Sequence, residues 1–491
     1  MSEPGLARPQ KVAINIPSAR DEDHRVTIRD RVAICALVLL TGVTSCGSGP
    51  NSTVVPTAAS IPTTTTTTPS RDLELTVAGC SAPPVTFALL CEVVDLVRSY
   101  HIEPPDDFTL AVAATAGIRD FATTETEPLP RGITCAVPGP DFTPFCEEVE
   151  QRMEADLVPL RPMVESAVAD MLVDTVDPYT LYIPPELSGA VGEDGIIPGL
   201  SMVTGALNAV GSPCVRIELV CPLQVVTVLG DGPADEAGLL KGDVIEAIDG
   251  EEILGRTVIE AAGMMSGKAG TELQLNINRD GTTIVVDLVR ADATALPISY
   301  EIFGTTGYVR LPEFGIDAHL YFHFALESLI DAGARRLVLD LRDNPGGYLF
   351  SVSIIGSEFF SSGLLYRTAG PLESLEYPAI EGGIARSLPI ITLVNGSSAS
   401  AAEILAAVLQ ERNRSTIVGS PTFGKNLVQT PFELHNGGFL RVTTSRWTTP
   451  DGASVAQTGV VPDVQLELGP ELTVAEVVDL ALAAAANSPT D

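Results

Sequence analysis

Basic residues are scarce in this 491-residue chain. Lysine and arginine total 29 against 63 aspartates and glutamates, a formal charge of −34. Such a surface repels a polyanion, so nucleic acid is not an expected partner. Apolar runs long enough to cross a bilayer are not part of the pattern either. The run near the N-terminus, Val32 to Val43, has twelve residues, short of the ~20 that a spanning helix needs. The cysteines never stand at the two-residue spacing of a zinc site. His319 and His323 fall four apart in a helical pattern but lack the glutamate of a HExxH motif. Neither a metal nor a cofactor is expected.

What is present suits two or three globular domains, with 45% apolar residues. Arg29 and Arg31 precede Val32–Val43, the pattern of a signal-peptide core, and the run closes on Val43-Thr44-Ser45-Cys46. A small residue directly before a cysteine resembles a lipobox. That resemblance implies lipidation of Cys46, membrane attachment through the lipid and a place in the cell envelope. An ordinary secretory signal and an uncleaved anchor are the alternatives. Residues 47–70, rich in Ser, Thr and Pro, read as a tether. Six cysteines follow, which allow 15 pairings. Local grouping makes Cys80–Cys91, Cys135–Cys146 and Cys214–Cys221 the simplest set, in an oxidising compartment.

Residues 71–191 carry helical periodicity over Phe87–Tyr100 and Phe108–Phe121. It resumes at Glu147, breaks at Pro159 and Pro162, and continues over Met163–Val176 before Asp177-Pro178-Tyr179. Residues 192–291 alternate short apolar strands with the turns Asp249-Gly250 and Asp280-Gly281. The run from Gly232 to Gly250, GPADEAGLLKGDVIEAIDG, strongly resembles PDZ domains. In those domains a loop binds a peptide's terminal carboxylate while the peptide adds a strand. The matching positions here are Gly199, Leu200 and Ser201, with Ser201 in place of the usual second glycine.

From Leu393 to Gln429 the chain reads LVNGSSASAAEILAAVLQERNRSTIVGSPTFGKNLVQ. A buried strand ends at Val394, turn residues follow, and Ala399–Arg412 are helix formers, so Ser400 sits where a strand becomes a helix. Unpartnered amides at a helix start stabilise negative charge. A serine there still needs a base. Lys425, flanked by Phe423, Leu427 and Val428, is the candidate, because apolar surroundings disfavour the charged amine. Gln429 lies four residues on and can orient it. A lone N-capping serine and a surface lysine would carry no chemistry.

The segment SASAAE, then TFGK and Gln429, closely resembles the carboxyl-terminal processing peptidases, also called tail-specific proteases. The resemblance covers roughly residues 85 to 480 and implies a Ser-Lys serine endopeptidase: Ser400 as nucleophile, Lys425 as base, Gln429 in support. Ser398 is not the matching serine. LDLRDNPGG, Leu339 to Gly347, matches as well and implies an oxyanion hole from the amides of Ala401 and of Gly346 or Gly347. The expected partners are exported proteins or peptides with accessible apolar C-termini. The expected fold is α/β and multidomain: leader 1–46, linker 47–70, helical region 71–191, PDZ β-barrel-like domain 192–291, α/β peptidase core with a largely parallel sheet 292–470, and terminal helix 471–491. A trypsin-like protease with a PDZ domain fits less well, since no GDSGG segment occurs. A peptide-binding protein without catalysis is the rival from another class.

Overall fold

Amphipathic patterning in the first third folds into helices against a two-stranded ribbon. The computed structural model describes residues 75–81, 85–121, 132–155, 159–187, 196–197, 199–208, 213–214, 216–228, 232–291, 298–469 and 472–486. Cys46, the leader and the tether lie outside the described residues. β1 (Leu75–Gly79) runs parallel to β2 (Ile133–Val137). Around them are α1 (Val85–Tyr100), α2 (Asp107–Asp120), α3 (Thr143–Ala155) and α4 (Leu160–Thr175). α4 starts three residues earlier than the proline pattern suggests. Pro162 is tolerated in its first turn because an amide there has no intrahelical partner. Cys80 is joined to Cys91 and Cys135 to Cys146, with Cα atoms 5.8 and 5.9 Å apart. The helical core, with Phe87, Phe145 and Met163 fully buried, also takes in Leu434, Leu440 and Val442 from the far end of the chain. The helical region is therefore packed into the peptidase part. After α4, the turn Asp177–Thr180 leads into β3 (Leu181–Ile183).

The PDZ region is one antiparallel sheet with two short helices. Its elements are β4 (Ile196–Ile197), β5 (Met202–Leu207), β6 (Pro213–Cys214), β7 (Leu223–Val228), α5 (Pro233–Glu236), β8 (Val244–Ile248), β9 (Glu251–Glu252), α6 (Val258–Met265), β10 (Glu272–Arg279) and β11 (Thr282–Val289). Strand order is β11-β10-β8-β7-β5-β4. The turns Asp249-Gly250 and Asp280-Gly281 have positive φ at both residues, the geometry that suits a tight hairpin. On β10 Leu273, Leu275 and Ile277 point inward by strict alternation. Cys214 is joined to Cys221, closing a loop beside β5. From that loop Arg216 reaches the Asp170 carboxylate on α4 and the Gly255 carbonyl.

The core comprises β12 (Ser299–Phe303), β13 (Thr306–Arg310), α7 (Ala318–Asp331), β14 (Arg336–Asp340), α8 (Leu349–Ser357), β15 (Leu364–Ala369), β16 (Ser374–Pro378), β17 (Ile390–Val394), α9 (Ala401–Glu411), β18 (Ser415–Gly419), β19 (Leu427–Glu433), β20 (Phe439–Thr448), β21 (Val464–Gln465) and α10 (Val474–Ala486). One sheet has the order β12-β13-β14-β17-β18-β21. Its strands are parallel from β13 onward, with β12 antiparallel at the edge. On β14, Leu337 and Leu339 enter one apolar layer and Val338 the other, which explains the strand's aliphatic run. α10 supplies Val477, Val478 and Ala481 to that second layer, so the terminal helix is part of the core. A second sheet, β16-β15-β20-β19 with β3 added on β20, is antiparallel throughout. Of this sheet the sequence marks the β19–β20 pair, where VQTPFEL and GGFLRVTTSRW flank the turn Asn436-Gly437.

Candidate active site

The backbone of Ser400 is strained. Its φ is +51° with ψ −114°, a region that a non-glycine residue occupies only when its surroundings hold it there. β17 ends at Val394, the chain turns, and α9 starts at Ala401. Contacts on both sides fix this elbow to the loop after β14. Ala399 donates its amide to the Asn344 carbonyl at 2.9 Å, Asp343 donates its amide to Asn395 Oδ1 at 3.0 Å, and Asn395 Nδ2 donates to Asp343 Oδ1 at 2.9 Å. Gly346 fits beneath the serine. A Cβ on it would stand 2.8 Å from Ser400 Cβ and 3.1 Å from the Ala401 nitrogen. Ser398 is buried, and its hydroxyl donates to the Leu341 carbonyl at 2.7 Å, a structural engagement.

Lys425 is tied to the same elbow by one carboxylate. Glu403, on the first turn of α9 and fully buried, accepts through Oε2 from the amides of Ser400 at 2.9 Å and Lys425 at 2.8 Å. Through Oε1 it accepts from the Gly424 amide and the Thr422 hydroxyl, both at 2.6 Å. Burial pushes the Glu403 carboxyl up, against the four hydrogen bonds that favour its ionised form. The lysine side chain ends with Nζ 4.7 Å from the centre of the Tyr179 ring. Tyr179 has its own hydroxyl pushed up to about 12 by burial and by the charges of Asp177 and Glu403.

A cleft of about 650 Å³ brings Ser400, Lys425 and Gln429 together. Gly347 lines it, as do the apolar side chains of Tyr348, Leu372, Leu375, Leu427 and Phe432. Gly347 is half-buried, whereas Gly346 is buried and has its amide donated to Asn344 Oδ1 at 2.9 Å. Gln429 Nε2 donates to Thr443 Oγ1 at 3.3 Å. An apolar groove ending on a strained serine at a helix start, with an amine in the same groove, is suited to holding an extended peptide for acyl transfer.

Residues 305–466 match the model of peptidase family S41, and residues 224–279 that of a PDZ domain. Over 315 residues the chain is 34% identical to a carboxy-terminal-processing protease of Bartonella bacilliformis, spanning 62% of this chain and 70% of that protein. The chain belongs to the carboxyl-terminal processing proteases. A second relative, from Synechocystis sp., is 33% identical over 328 residues, 65% of this chain and 75% of that one. Among solved structures the photosystem II D1 C-terminal processing protease shares the fold, with a TM-score of 0.56 at 24% identity over 82% of this chain and 98% of that one. The protein is thus a C-terminal processing serine protease with a PDZ domain, and it acts on proteins or peptides.

In this protease the PDZ loop is tightly bound by its own chain. Gly199 has φ +79° and Ser201 φ +56°. The Leu200 side chain is fully buried and its amide donates to the Ile197 carbonyl at 3.1 Å. β5 carries β7 on one edge, while β4 and β6 cover parts of the other. A peptide strand entering beside β5 would meet those short strands. The two histidines of α7 have separate surroundings. His323 Nδ1 pairs with Glu358 at 2.6 Å, and His319 packs edge-on to Phe350. Glu411 Oε1 accepts from the Asp451 amide at 3.0 Å, a structural contact.

Two contributors to the site escape sequence reasoning. Tyr179 and Asp177 belong to a turn that reads as the end of a helical region, and the pairing of β3 with β20, with the bonds of Thr443 to Asp177 and Thr180, carries it to the lysine. The hairpin β15–β16 forms the cleft wall with Leu372 and Leu375; its strands lack the apolar alternation that would mark them.

Proposed function

We propose that this protease cleaves exported proteins near their C-termini with Ser400 as nucleophile and Lys425 as general base. The observation that carries this reading is the single cleft lined by Ser400, Lys425, Gln429 and Gly347. Neutral Lys425 takes the Ser400 proton as Oγ bonds to the scissile carbonyl carbon. The oxyanion is received by the Ala401 amide, at the start of α9, and by the Gly347 amide. Gly347 is preferred to Gly346, whose amide already serves Asn344. The carbon–nitrogen bond then breaks, the protonated lysine gives its proton to the leaving amine, and water delivered with the same base releases the acyl group. Each oxyanion donor is worth about 2.7–4 kcal/mol of transition-state stabilisation.

Apolar side chains along the cleft support substrates with apolar C-terminal residues. Gly199, Leu200 and Ser201 are proposed to receive the substrate's terminal carboxylate once β4 yields its place on β5. Lipidation at Cys46 would tether the enzyme at the outer face of a membrane, with residues 47–70 as the spacer. The enzyme is tested with an unfolded reporter bearing an apolar tail. Ser400→Ala should abolish cleavage with the circular dichroism spectrum unchanged. Lys425→Arg should do the same, because arginine stays charged. A purified wild-type protein that binds such tails and cleaves none would support the binding-protein reading instead.

A further inference from the structure

Lys425 and Gln429 both belong to the peptidase core, yet an aromatic ring against the lysine and a carboxylate behind the glutamine's partner Thr443 come from the turn between α4 and β3. Asp177 Oδ1 accepts from the backbone amides of Tyr179 at 2.7 Å and Thr180 at 3.1 Å, and from Thr443 Oγ1 at 3.1 Å. Its Oδ2 accepts from Thr180 Oγ1 at 2.6 Å and from His101 Nε2 at 2.8 Å. The Glu103 amide donates to His101 Nδ1 at 3.1 Å, so Nε2 is the protonated nitrogen of that ring. Thr443, on β20 and 1% exposed, accepts in turn from Gln429 Nε2.

The direction of the protons fixes the orientation of Gln429. An ionised carboxylate only accepts, and a threonine hydroxyl carries one hydrogen. Thr443 gives that hydrogen to Asp177 and therefore meets Gln429 as an acceptor. Gln429 must turn its NH₂ toward Thr443, which leaves its carbonyl oxygen as the end that can hold an amine N–H in the cleft. An amine held this way has its lone pair directed elsewhere, toward a proton donor such as Ser400. The Tyr179 ring, in the same turn, lies 4.7 Å from Lys425 Nζ, where an aromatic face favours the protonated amine over the neutral one.

Resting on the Ser400–Lys425 reading above, we infer that the Asp177–Thr180 turn is a positioning element of the catalytic site: Tyr179 supports the protonated form of Lys425, and Asp177 orients Gln429 through Thr443. The helical region is then part of the catalytic machinery. The charged and titratable groups on the elements packed around the lysine include Glu403, which accepts from its amide, Asp177 in the same turn as Tyr179 with His101 bonded to it, and Glu373, Arg441, Tyr100, Tyr348 and Tyr377 in the cleft wall.

The test is the pH dependence of kcat/KM on the unfolded reporter for wild type, Tyr179→Phe, Tyr179→Leu and Thr443→Val, with folding checked by circular dichroism. Removing the ring withdraws support from the charged lysine. The acid limb for Tyr179→Leu should therefore move to lower pH by roughly 0.4 to 1.5 units, while Tyr179→Phe leaves it in place. Tyr179→Met provides a second ring-free variant should the leucine protein fail to fold. Thr443→Val should lower kcat about tenfold with KM little changed, since it frees Gln429 without touching the substrate. An acid limb unmoved in the ring-free proteins, or moved equally in Tyr179→Phe, overturns the role of Tyr179. Wild-type kcat in Thr443→Val overturns that of Asp177. Lys425→Arg in the same assay separates the two levels. If it keeps wild-type activity the dyad itself is wrong; if it is inactive while the limb does not move, only this inference falls.

Discussion

At Ser400 the left-handed backbone costs about 1–3 kcal/mol, and two neighbours make it tolerable. Gly346 leaves room beneath the serine, and the Glu403 carboxylate ties the Ser400 amide to that of Lys425. Glu403 thereby sets the backbone separation of the two residues on which the proposed chemistry depends. Gly346 itself has φ +115°, so alanine there would be strained and would press on Ser400. We predict that Gly346→Ala lowers kcat/KM by about a hundredfold, the scale on which a displacement of about 1 Å acts. Steady-state kinetics beside a circular dichroism spectrum checks this, and near-wild-type activity would show that the elbow does not need the glycine.

Among the elements, those with local signals were legible in the sequence. β17, the turn and α9 read correctly because an apolar run, turn residues and helix formers follow one another. The PDZ strands read correctly because alternation and the Asp-Gly turns mark them. The antiparallel sheet that walls the cleft did not, because β3 and β15 find β20 only across long stretches of chain and neither alternates cleanly. For the same reason nothing in the sequence marks Tyr179 as a neighbour of Lys425. Nothing in the sequence marks the contact that the loop closed by Cys214 and Cys221 makes with α4 through Arg216 and Asp170. Closing a loop of sequence separation 7 stabilises by about 2–3 kcal/mol on the chain-entropy estimate. Replacing both cysteines by serine should lower the unfolding free energy obtained from urea titration by about that amount, and an unchanged free energy would mean that the bridge does not constrain the unfolded chain.

For the whole molecule, buried charge sets how folding responds to acid. Burial alone would raise Asp340, but the Arg342 guanidinium, donating to both its oxygens, and the Tyr308 hydroxyl hold its carboxyl below the usual 3.8. A carboxyl depressed in the folded state contributes stability above its unfolded value and loses it as pH falls through the folded one. Asp177 acts in the same sense and Glu403, raised by burial, in the opposite one. Asp340→Asn should therefore destabilise the protein at pH 7, with the gap to wild type in urea midpoints narrowing below about pH 4. A gap that stays constant down to pH 2 would contradict the assignment.

The claim on which the enzyme's chemistry rests is that an uncharged amine at position 425 takes the proton of Ser400. Its most direct measurement is chemical rescue in a Lys425→Cys protein, since the six cysteines of the described residues are paired in disulfides. Cleavage of the reporter should be absent in that protein and should return when alkylation with 2-bromoethylamine rebuilds an amine on the side chain. Wild-type cleavage before alkylation, or complete aminoethylation with no return of cleavage, would contradict the account.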